Sequence, residues 1–300
     1  MSAVFLCSRW FGVHRFTLII SWVFAMSNIG TLAAATPLAW AAKNMGWRNA
    51  FDVLAAITAL VALLFLWLVR DDPPGAKPAP QRPQTLAQVW RGLIDVWRTP
   101  GLGPVLAMHT SGYACMVTVL GVWAGPYLND VHGLDGVARG NVLLAMGVAQ
   151  IVGLLAFGPL DRVFGTRKQI VIAGAAASVA VFGTLALVPQ PPLWLAVALM
   201  MAIPFLSSYS IILVAQGRAL FPDAQAGRGV TTVNMAQVVG ATVLPSLSGY
   251  IVGAFVDNPG AAAPESAYRA VFAMLAAVSF SGLIIYLRSL VSQRYSNKFS

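Results

Sequence analysis

Charged side chains are scarce in this sequence. Asp, Glu, Lys and Arg together make up 10% of its 300 residues, whereas a typical soluble domain has about 25%. Hydrophobic residues make up 58%, and the mean hydropathy is +0.74. Because a water-facing surface needs many more charges than this, the composition excludes an ordinary soluble protein and favours a membrane protein.

Cysteine, histidine and acidic residues are also few. Cys7 and Cys115 lie in apolar surroundings without motif spacing, so they indicate neither a disulfide framework nor a metal site. The three histidines are scattered, and there is no P-loop, no H-E-x-x-H pattern and no acidic pair for glycoside chemistry. We therefore expect no enzyme activity, no cofactor and no metal.

The net charge of +9 requires a different explanation from nucleic-acid binding. The basic residues lie in short loops between apolar runs, and no basic stripe with interleaved aromatic residues occurs on a polar helix. An anionic membrane face attracts juxtamembrane Lys and Arg. The expected partner is therefore the lipid bilayer and not nucleic acid.

Long intervals without charge predict the membrane spans. A bilayer core about 30 Å thick requires roughly 20 apolar residues in a helix. Pro189, Pro191 and Pro192 should split the longest interval, because proline lacks an N–H and disfavours helix before it. An all-α membrane protein with eight transmembrane helices is thus predicted. The charge-free intervals are Phe16–Ala42, Val53–Val69, Thr99–Asn129, Asn141–Leu160, Gln169–Gly217, Gly229–Val256 and Ala270–Leu287.

The basic residues also predict the orientation. Fifteen of the 19 Lys and Arg residues fall in alternate loops, whereas only Lys43, Arg48, Arg139 and Arg269 occupy the opposite ones. Lys and Arg are retained on the cytoplasmic side. Both termini are therefore expected in the cytoplasm, and the protein is expected to be a multi-pass component of the plasma (inner) membrane.

A polar stretch divides the chain after its second span. Residues 71–100 begin with a Pro-rich segment, which should be an extended cytoplasmic linker. Leu86, Val89, Trp90, Leu93 and Trp97 then recur at helical spacing and predict an amphipathic helix on the inner leaflet. A soluble connector helix is the alternative.

A short charged turn carries the most specific motif. Gly158 and Gly165 frame it, and it contains one acid, Asp161, with three bases, Arg162, Arg167 and Lys168. It resembles the cytoplasmic loop motif of major facilitator superfamily transporters. Two positions depart from that motif: Asp161 lies one residue closer to Gly158, and Thr166 replaces a base.

The resemblance extends over essentially the whole chain and implies a partial superfamily fold. Residues 1–70 are similar to the last two helices of the N-terminal bundle, and 71–100 to the central linker. Residues 101–290 are similar to a complete six-helix C-terminal bundle, followed by a cytoplasmic tail at 291–300. The chain thus resembles helices 5–12 of the family, with four earlier spans absent, and is expected to be N-terminally truncated.

The family implies a secondary transporter that moves a small polar or anionic solute by alternating access. The truncated chain could be inactive in this role. A proton or another coupling ion is left open, since the spans have no deep carboxylate. Two alternatives remain: a membrane-embedded enzyme, and a non-transporting remnant or partner subunit.

By the same resemblance, the charged turn should act as a gate at the cytoplasmic face. It should approach the start of the first span, Phe16–Leu18, and lock or release the two bundles. Asp161 can pair with Arg162 or Arg167, or face a helix N-terminus. The alternative is that these charges only fix the topology.

Polar residues in mid-span are the candidate solute contacts. His109 is the one ionisable residue well inside a span, and such residues are functional candidates by default. Its imidazole could bind an anion or carry a proton, and Tyr113 follows one turn later. Packing between helices is the alternative role for each polar residue. The remaining candidates are Ser207, Tyr209, Asn234, Gln237 and Asn28.

Overall fold

A computed structural model describes residues 6–7, 10–11, 13–68, 96–164, 166–221, 226–256 and 262–296. These residues form helices and short connections and contain no β-strand. The all-α prediction is therefore confirmed for this part of the chain. In order, the helices are α1 (Val13–Met45), α2 (Trp47–Leu68), α3 (Leu102–Thr118), α4 (Ala124–Asp130), α5 (Gly136–Phe164), α6 (Arg167–Leu187), α7 (Leu193–Ser207), α8 (Ser210–Ala219), α9 (Ala226–Gly253) and α10 (Glu265–Ser296).

These helices form eight consecutive segments that match the predicted spans. A π-helical turn at Val119–Trp123 joins α3 to α4, and α7 and α8 together form another segment. Among the described residues, seven segments are long and apolar enough to cross a bilayer. The remaining segment is α1, whose apolar part is described from Arg15 to Gly30. The chain is thus a multi-pass membrane protein.

Prolines mark two of the breaks between helices. The predicted turn before α7 is confirmed, because α6 ends at Leu187 and Pro192 caps the start of α7. Pro204 lies inside α7, which ends three residues later. The N–H of Ser208 then donates to the carbonyl of Phe205 at 3.3 Å, which gives a tighter turn before α8. This break sets the direction of Tyr209.

The π-helical turn has a similar cause. Pro126 cannot donate a hydrogen bond to the carbonyl of Val122, and the π turn spans that carbonyl. Trp123 closes the turn, and its Nε1–H donates to Ser248 Oγ of α9 at 2.7 Å. The extra residue in the turn thus aims an indole at a neighbouring helix.

Helix α3 lies at the centre of the packing and contacts α8, α9 and α10. Its start belongs to a small buried cluster that contains Val96, Leu102 and Phe221. Two larger clusters fill the two ends of the bundle, one around Met108 and Phe157 and the other around the residues that follow Ala114. Tyr209 belongs to the first of these clusters, and Tyr268 to the second.

The first two helices pack unequally. Helix α1 lies along α5, and Phe16 and Ile20 are buried there. Helix α2 contacts α1, but its apolar core segment is exposed throughout, and Trp67 is 87% exposed. An apolar surface of this kind suits a lipid environment.

The predicted linker lies largely outside the described residues, whereas the helices on both sides of the charged turn are described. Residues 69–95, which hold the Pro-rich segment and most of the amphipathic helix, lie outside the described residues; Val96 and Trp97 are helical. The charged turn is shorter than expected, because α5 continues past Gly158 to Phe164 and α6 begins at Arg167. Pro159 does not stop α5. Helix α10 continues to Ser296, into the segment predicted to be a cytoplasmic tail.

Candidate solute-binding site

A hydrogen bond between two predicted residues forms the centre of the candidate site. His109 Nε2 lies 2.9 Å from Gln237 Oε1 and joins the middle of α3 to α9. His109 is 2% exposed and Gln237 is half-buried, so this bond is partly shielded from solvent. With the amide oxygen as acceptor, Nε2 carries the proton and Nδ1 presents a lone pair.

Two buried polar atoms in this region have no hydrogen-bond partner within the described part of the chain. They are His109 Nδ1 and the Tyr209 hydroxyl. Most buried polar side-chain atoms in proteins are paired, because an unpaired one costs about 1–3 kcal/mol. Both atoms therefore lack a partner that a polar ligand or a water molecule would supply.

Glycines bring Tyr209 against α3 and α6. A Cβ at Gly112 would overlap the Tyr209 hydroxyl, and a Cβ at Gly174 would lie 2.8 Å from Tyr209 Cδ1. Gly112 lies one turn after His109, so the two positions share a face of α3. The helix break after Pro204 thus directs a phenol towards the same stretch of α3 that carries the histidine.

The serines beside Tyr209 support the break. Ser207 and Ser208 are both buried. The Ser208 hydroxyl lies 3.0 Å from the Pro204 carbonyl and 3.3 Å from the Gln150 carbonyl of α5. Ser208 therefore ties the broken helix to α5.

The structure does not join all the predicted residues into the site. Tyr113 is half-buried and packs against the apolar cluster beyond Ala114. Asn234 is half-buried and lies one turn before Gln237 on α9. Asn28 donates its side-chain N–H to the Phe24 carbonyl of its own helix at 2.8 Å, so this bond stabilises α1 rather than a shared site.

Gly158 of the charged motif makes a close contact between α5 and α1. A Cβ there would overlap Ser21 Oγ and lie 3.8 Å from Leu18 Cα. This places the motif's first glycine beside the predicted start of the first span. Arg167 and Lys168 begin α6. The side chains of Asp161 and Arg162, and the whole of Gly165, lie outside the described residues.

A polar cluster at the opposite ends of the helices escaped the sequence analysis. Asp130 accepts hydrogen bonds from the Tyr268 hydroxyl at 2.6 Å and from the Ala263 N–H at 3.2 Å. Arg269 Nε–H donates to the Ala186 carbonyl at 2.8 Å. The one available signal was an acid, Asp130, directly after a long charge-free interval.

His132 lies in the loop next to this cluster. Its ring packs edge-on against Tyr127, with centroids 5.3 Å apart. Burial lowers the pKa of His132, while the negative charge of Glu265 acts in the opposite direction. The neutral imidazole is therefore the form that this loop favours.

Comparison with known proteins decides the family. The family model described as Major Facilitator Superfamily matches residues 1–217 and 140–299 of this chain. The chain belongs to the major facilitator superfamily. The resemblance that the sequence indicated is therefore confirmed. Members of this family transport solutes across membranes.

Similar proteins are known individually. "Transcription regulatory protein OpdE" of Pseudomonas aeruginosa is 32% identical over 140 residues, which cover 46% of this chain and 32% of that protein. A bacterial homologue of the iron transporter ferroportin, solved in an outward-facing state, is similar with a TM-score of 0.64 at 13% identity. That match covers 94% of this chain and 66% of the ferroportin homologue, and supports the fold alone.

A bacterial homologue of the human lysosomal transporter Spinster, solved in an inward-facing and unoccupied conformation, has a TM-score of 0.48 and 18% identity. That match covers 93% of this chain and 66% of the homologue. This superfamily member thus spans about a third of its curated relative and about two thirds of the two solved transporters.

Proposed function

We propose that this chain contributes the central binding site of a secondary transporter that moves a small polar or anionic solute by alternating access. The observation that carries the proposal is the buried His109–Gln237 pair with an unpaired Nδ1. Family membership supports the transport class. The chemistry of the paired side chains supports the solute class.

The solute class follows from what the imidazole can offer. In the neutral form, Nδ1 accepts a hydrogen bond from a hydroxyl or ammonium group, and in the protonated form it donates one to a carboxylate or phosphate. The nearby Tyr209 hydroxyl can either donate or accept. A coupling proton could use the same nitrogen atom.

The cytoplasmic motif would serve as the latch in this mechanism. Alternating access requires one bundle to rock against the other around the site. Gly158 allows α5 to approach Ser21 of α1 closely, which is where such a contact must close and open. We propose that Asp161, Arg162, Arg167 and Lys168 add the charged part of the latch, and that Gly165 permits the tight turn between them. In this proposal, the charged motif and both termini lie on the cytoplasmic side of the plasma (inner) membrane.

The first experiment measures binding, because the proposal rests on His109, Tyr209 and Gln237 as the solute contacts. The purified protein in detergent is heated with small carboxylates, phosphate esters or neutral polyols. A solute at 100 times its Kd should stabilise the folded state by about 2.7 kcal/mol. The expected result is stabilisation by at least one of these probes.

Two variants then test whether the solute binds at the His109–Gln237 pair. His109→Phe and Gln237→Leu should each weaken binding about tenfold or more, because each removes a buried hydrogen bond. Asn28→Leu is the matched control, since Asn28 bonds to its own helix. Unchanged binding in the first two variants, or an equal loss in the control, would overturn the assignment.

A further inference from the structure

A groove separate from the polar site lies between α3, α9 and α10. Its volume is about 730 Å³. Leu106, Val239, Val243, Met274 and Ile285 are among its lining residues, and its polar lining consists of the hydroxyl groups of Thr110, Ser111 and Ser281 together with the Trp97 indole. Among the described residues, none of those that line it is charged. The groove therefore fits an apolar chain and not the solute of the proposed transporter.

The groove occupies one half of the membrane thickness. On α10 its lining residues extend from Met274 to Ile285. Eleven helical steps span about 16 Å, which is roughly half of a hydrocarbon core about 30 Å thick. The groove thus has the depth of a single leaflet. The end near Trp97 and Ile285 faces the membrane surface that carries most of the basic residues.

The position of this end is fixed by packing. Val96 is fully buried against the cluster of Leu102 and Phe221, so the neighbouring Trp97 is held in place while remaining 62% exposed. Trp residues are typical of the membrane–water interface, where the ring contacts both lipid and headgroups. Trp97 therefore marks the mouth of the groove at headgroup level.

Two arginines lie close in sequence to residues at this mouth. Arg98 directly follows Trp97, and Arg288 lies three residues after Ile285, on the same face of α10. Both side chains are exposed. An apolar groove of leaflet depth below two basic side chains is complementary to a lipid with a negatively charged headgroup.

We propose that this groove binds an anionic phospholipid, with an acyl chain between α9 and α10 and its phosphate near Arg98 and Arg288. The proposal is independent of the solute site, because no groove residue belongs to the His109–Gln237 pair. A stable helix in the groove, from a second copy or another protein, is the competing occupant that the experiment must distinguish.

The experiment uses the full chain in detergent, stripped of native lipid and given phosphatidylglycerol or phosphatidylcholine. Native mass spectrometry counts the bound lipids. Phosphatidylglycerol should bind more tightly than phosphatidylcholine. In the Arg98→Gln/Arg288→Gln variant its affinity should fall about 30-fold, the amount expected for two interfacial arginines. Arg139→Gln, on the other membrane side, is the control and should bind normally.

A second pair of variants tests the groove itself. Ala277→Trp places an indole among the lining residues, whereas Phe280→Trp places one on an exposed position of α10 that does not line the groove. Only Ala277→Trp should prevent lipid binding. Equal affinity for both lipids, or normal binding in the arginine or Ala277→Trp variants, would overturn the proposal.

Crosslinking identifies the natural occupant. A benzophenone amino acid at Ser281, which lines the groove, is irradiated in membranes before purification. The proposal requires an adduct with the mass of a phospholipid. An adduct with another protein or a second copy would assign the groove to a helix instead and overturn it.

Discussion

At the scale of single residues, the buried imidazole and phenol determine what the site can recognise. His109 has one ring nitrogen engaged by Gln237, and its other nitrogen is buried without a partner in the described structure. Tyr209 is held between Gly112 and Gly174 with an equally unpaired hydroxyl. An unpaired buried polar atom destabilises a folded protein, so a polar ligand that pairs with these two groups is expected to stabilise it.

Tyr209→Phe separates this ligand role from a packing role. Removing an unpaired buried hydroxyl should raise the free energy of unfolding by about 1 kcal/mol while weakening solute binding. Thermal unfolding with and without solute measures both effects. A loss of stability would instead show that the hydroxyl is satisfied in the empty protein.

His132 should make stability depend on pH at the other end of the bundle. Because burial lowers its pKa in the folded state, the unfolded chain binds the proton more readily. Stability should therefore be complete above the ordinary histidine value of about 6.5, and decrease as the pH falls towards the folded-state pKa.

The measurement is the unfolding temperature between pH 8 and pH 5, compared with that of His132→Phe, which keeps the aromatic contact with Tyr127. The variant should lose part of the acid destabilisation. An identical pH profile in the two proteins would show that His132 does not contribute.

At the scale of helices, close approach depends on small residues at the crossing points. Small residues let transmembrane helices pack backbone to backbone, where the hydrophobic effect gives little driving force. Gly158 does this between α5 and α1, and Gly153 does so between α5 and α7, where a Cβ would lie 2.6 Å from the Phe205 carbonyl oxygen. Helix α5 therefore holds the first span against the later helices.

Gly158→Ala tests this packing, and Gly183→Ala, at a glycine with free space around it, is the control. At Gly183 nothing lies within 4 Å of an added Cβ, so Gly183→Ala should stabilise α6 by about 0.5–1 kcal/mol through helix propensity. Gly158→Ala should instead destabilise the protein by about 1–3 kcal/mol through overpacking against Ser21.

Denaturant unfolding in mixed micelles measures both alanine variants. Adding Ser21→Ala should recover part of the loss at Gly158, because it removes the hydroxyl that the new methyl group meets. Equal effects of the two glycine substitutions would show that the α1–α5 contact does not limit stability.

At the scale of the whole molecule, the alternation of helices and charged loops requires the two ends of each span to lie on opposite membrane faces. The family model and the eight helical segments support a multi-pass membrane protein. Orientation follows from the basic residues, since moving Lys and Arg across the membrane is unfavourable. The loop between α4 and α5 should therefore lie outside and the end of α10 inside.

Cysteine labelling tests this topology. The native Cys7 and Cys115 are replaced by Ser and Ala to remove background labelling. Both are buried, so small replacement residues are used. A cysteine at Val137, which is 75% exposed near the start of α5, should react with a membrane-impermeant maleimide in intact cells. One at Lys298 should react only after permeabilisation. Labelling of both in intact cells would contradict the predicted orientation.

The sequence by itself determined the all-α membrane class, the proline turn before Leu193 and the family. Each of these depends on local properties: a run without charge, a missing N–H, and a short motif. It also selected His109, Tyr209 and Gln237 individually, because polar groups are rare in apolar spans. The sequence also indicated the end of the apolar span at Leu160, whereas the helix itself continues to Phe164.

Only the tertiary structure decided which residues meet. Gln237 lies 128 positions after His109, and the approach of Tyr209 to Gly112 requires the break at Pro204 and two facing glycines. Asn28 and Gln237 are both amides in mid-span, yet one bonds to its own helix and the other bonds across to α3. Composition cannot separate these outcomes, because hydrogen bonding depends on which faces the packing brings within about 3 Å.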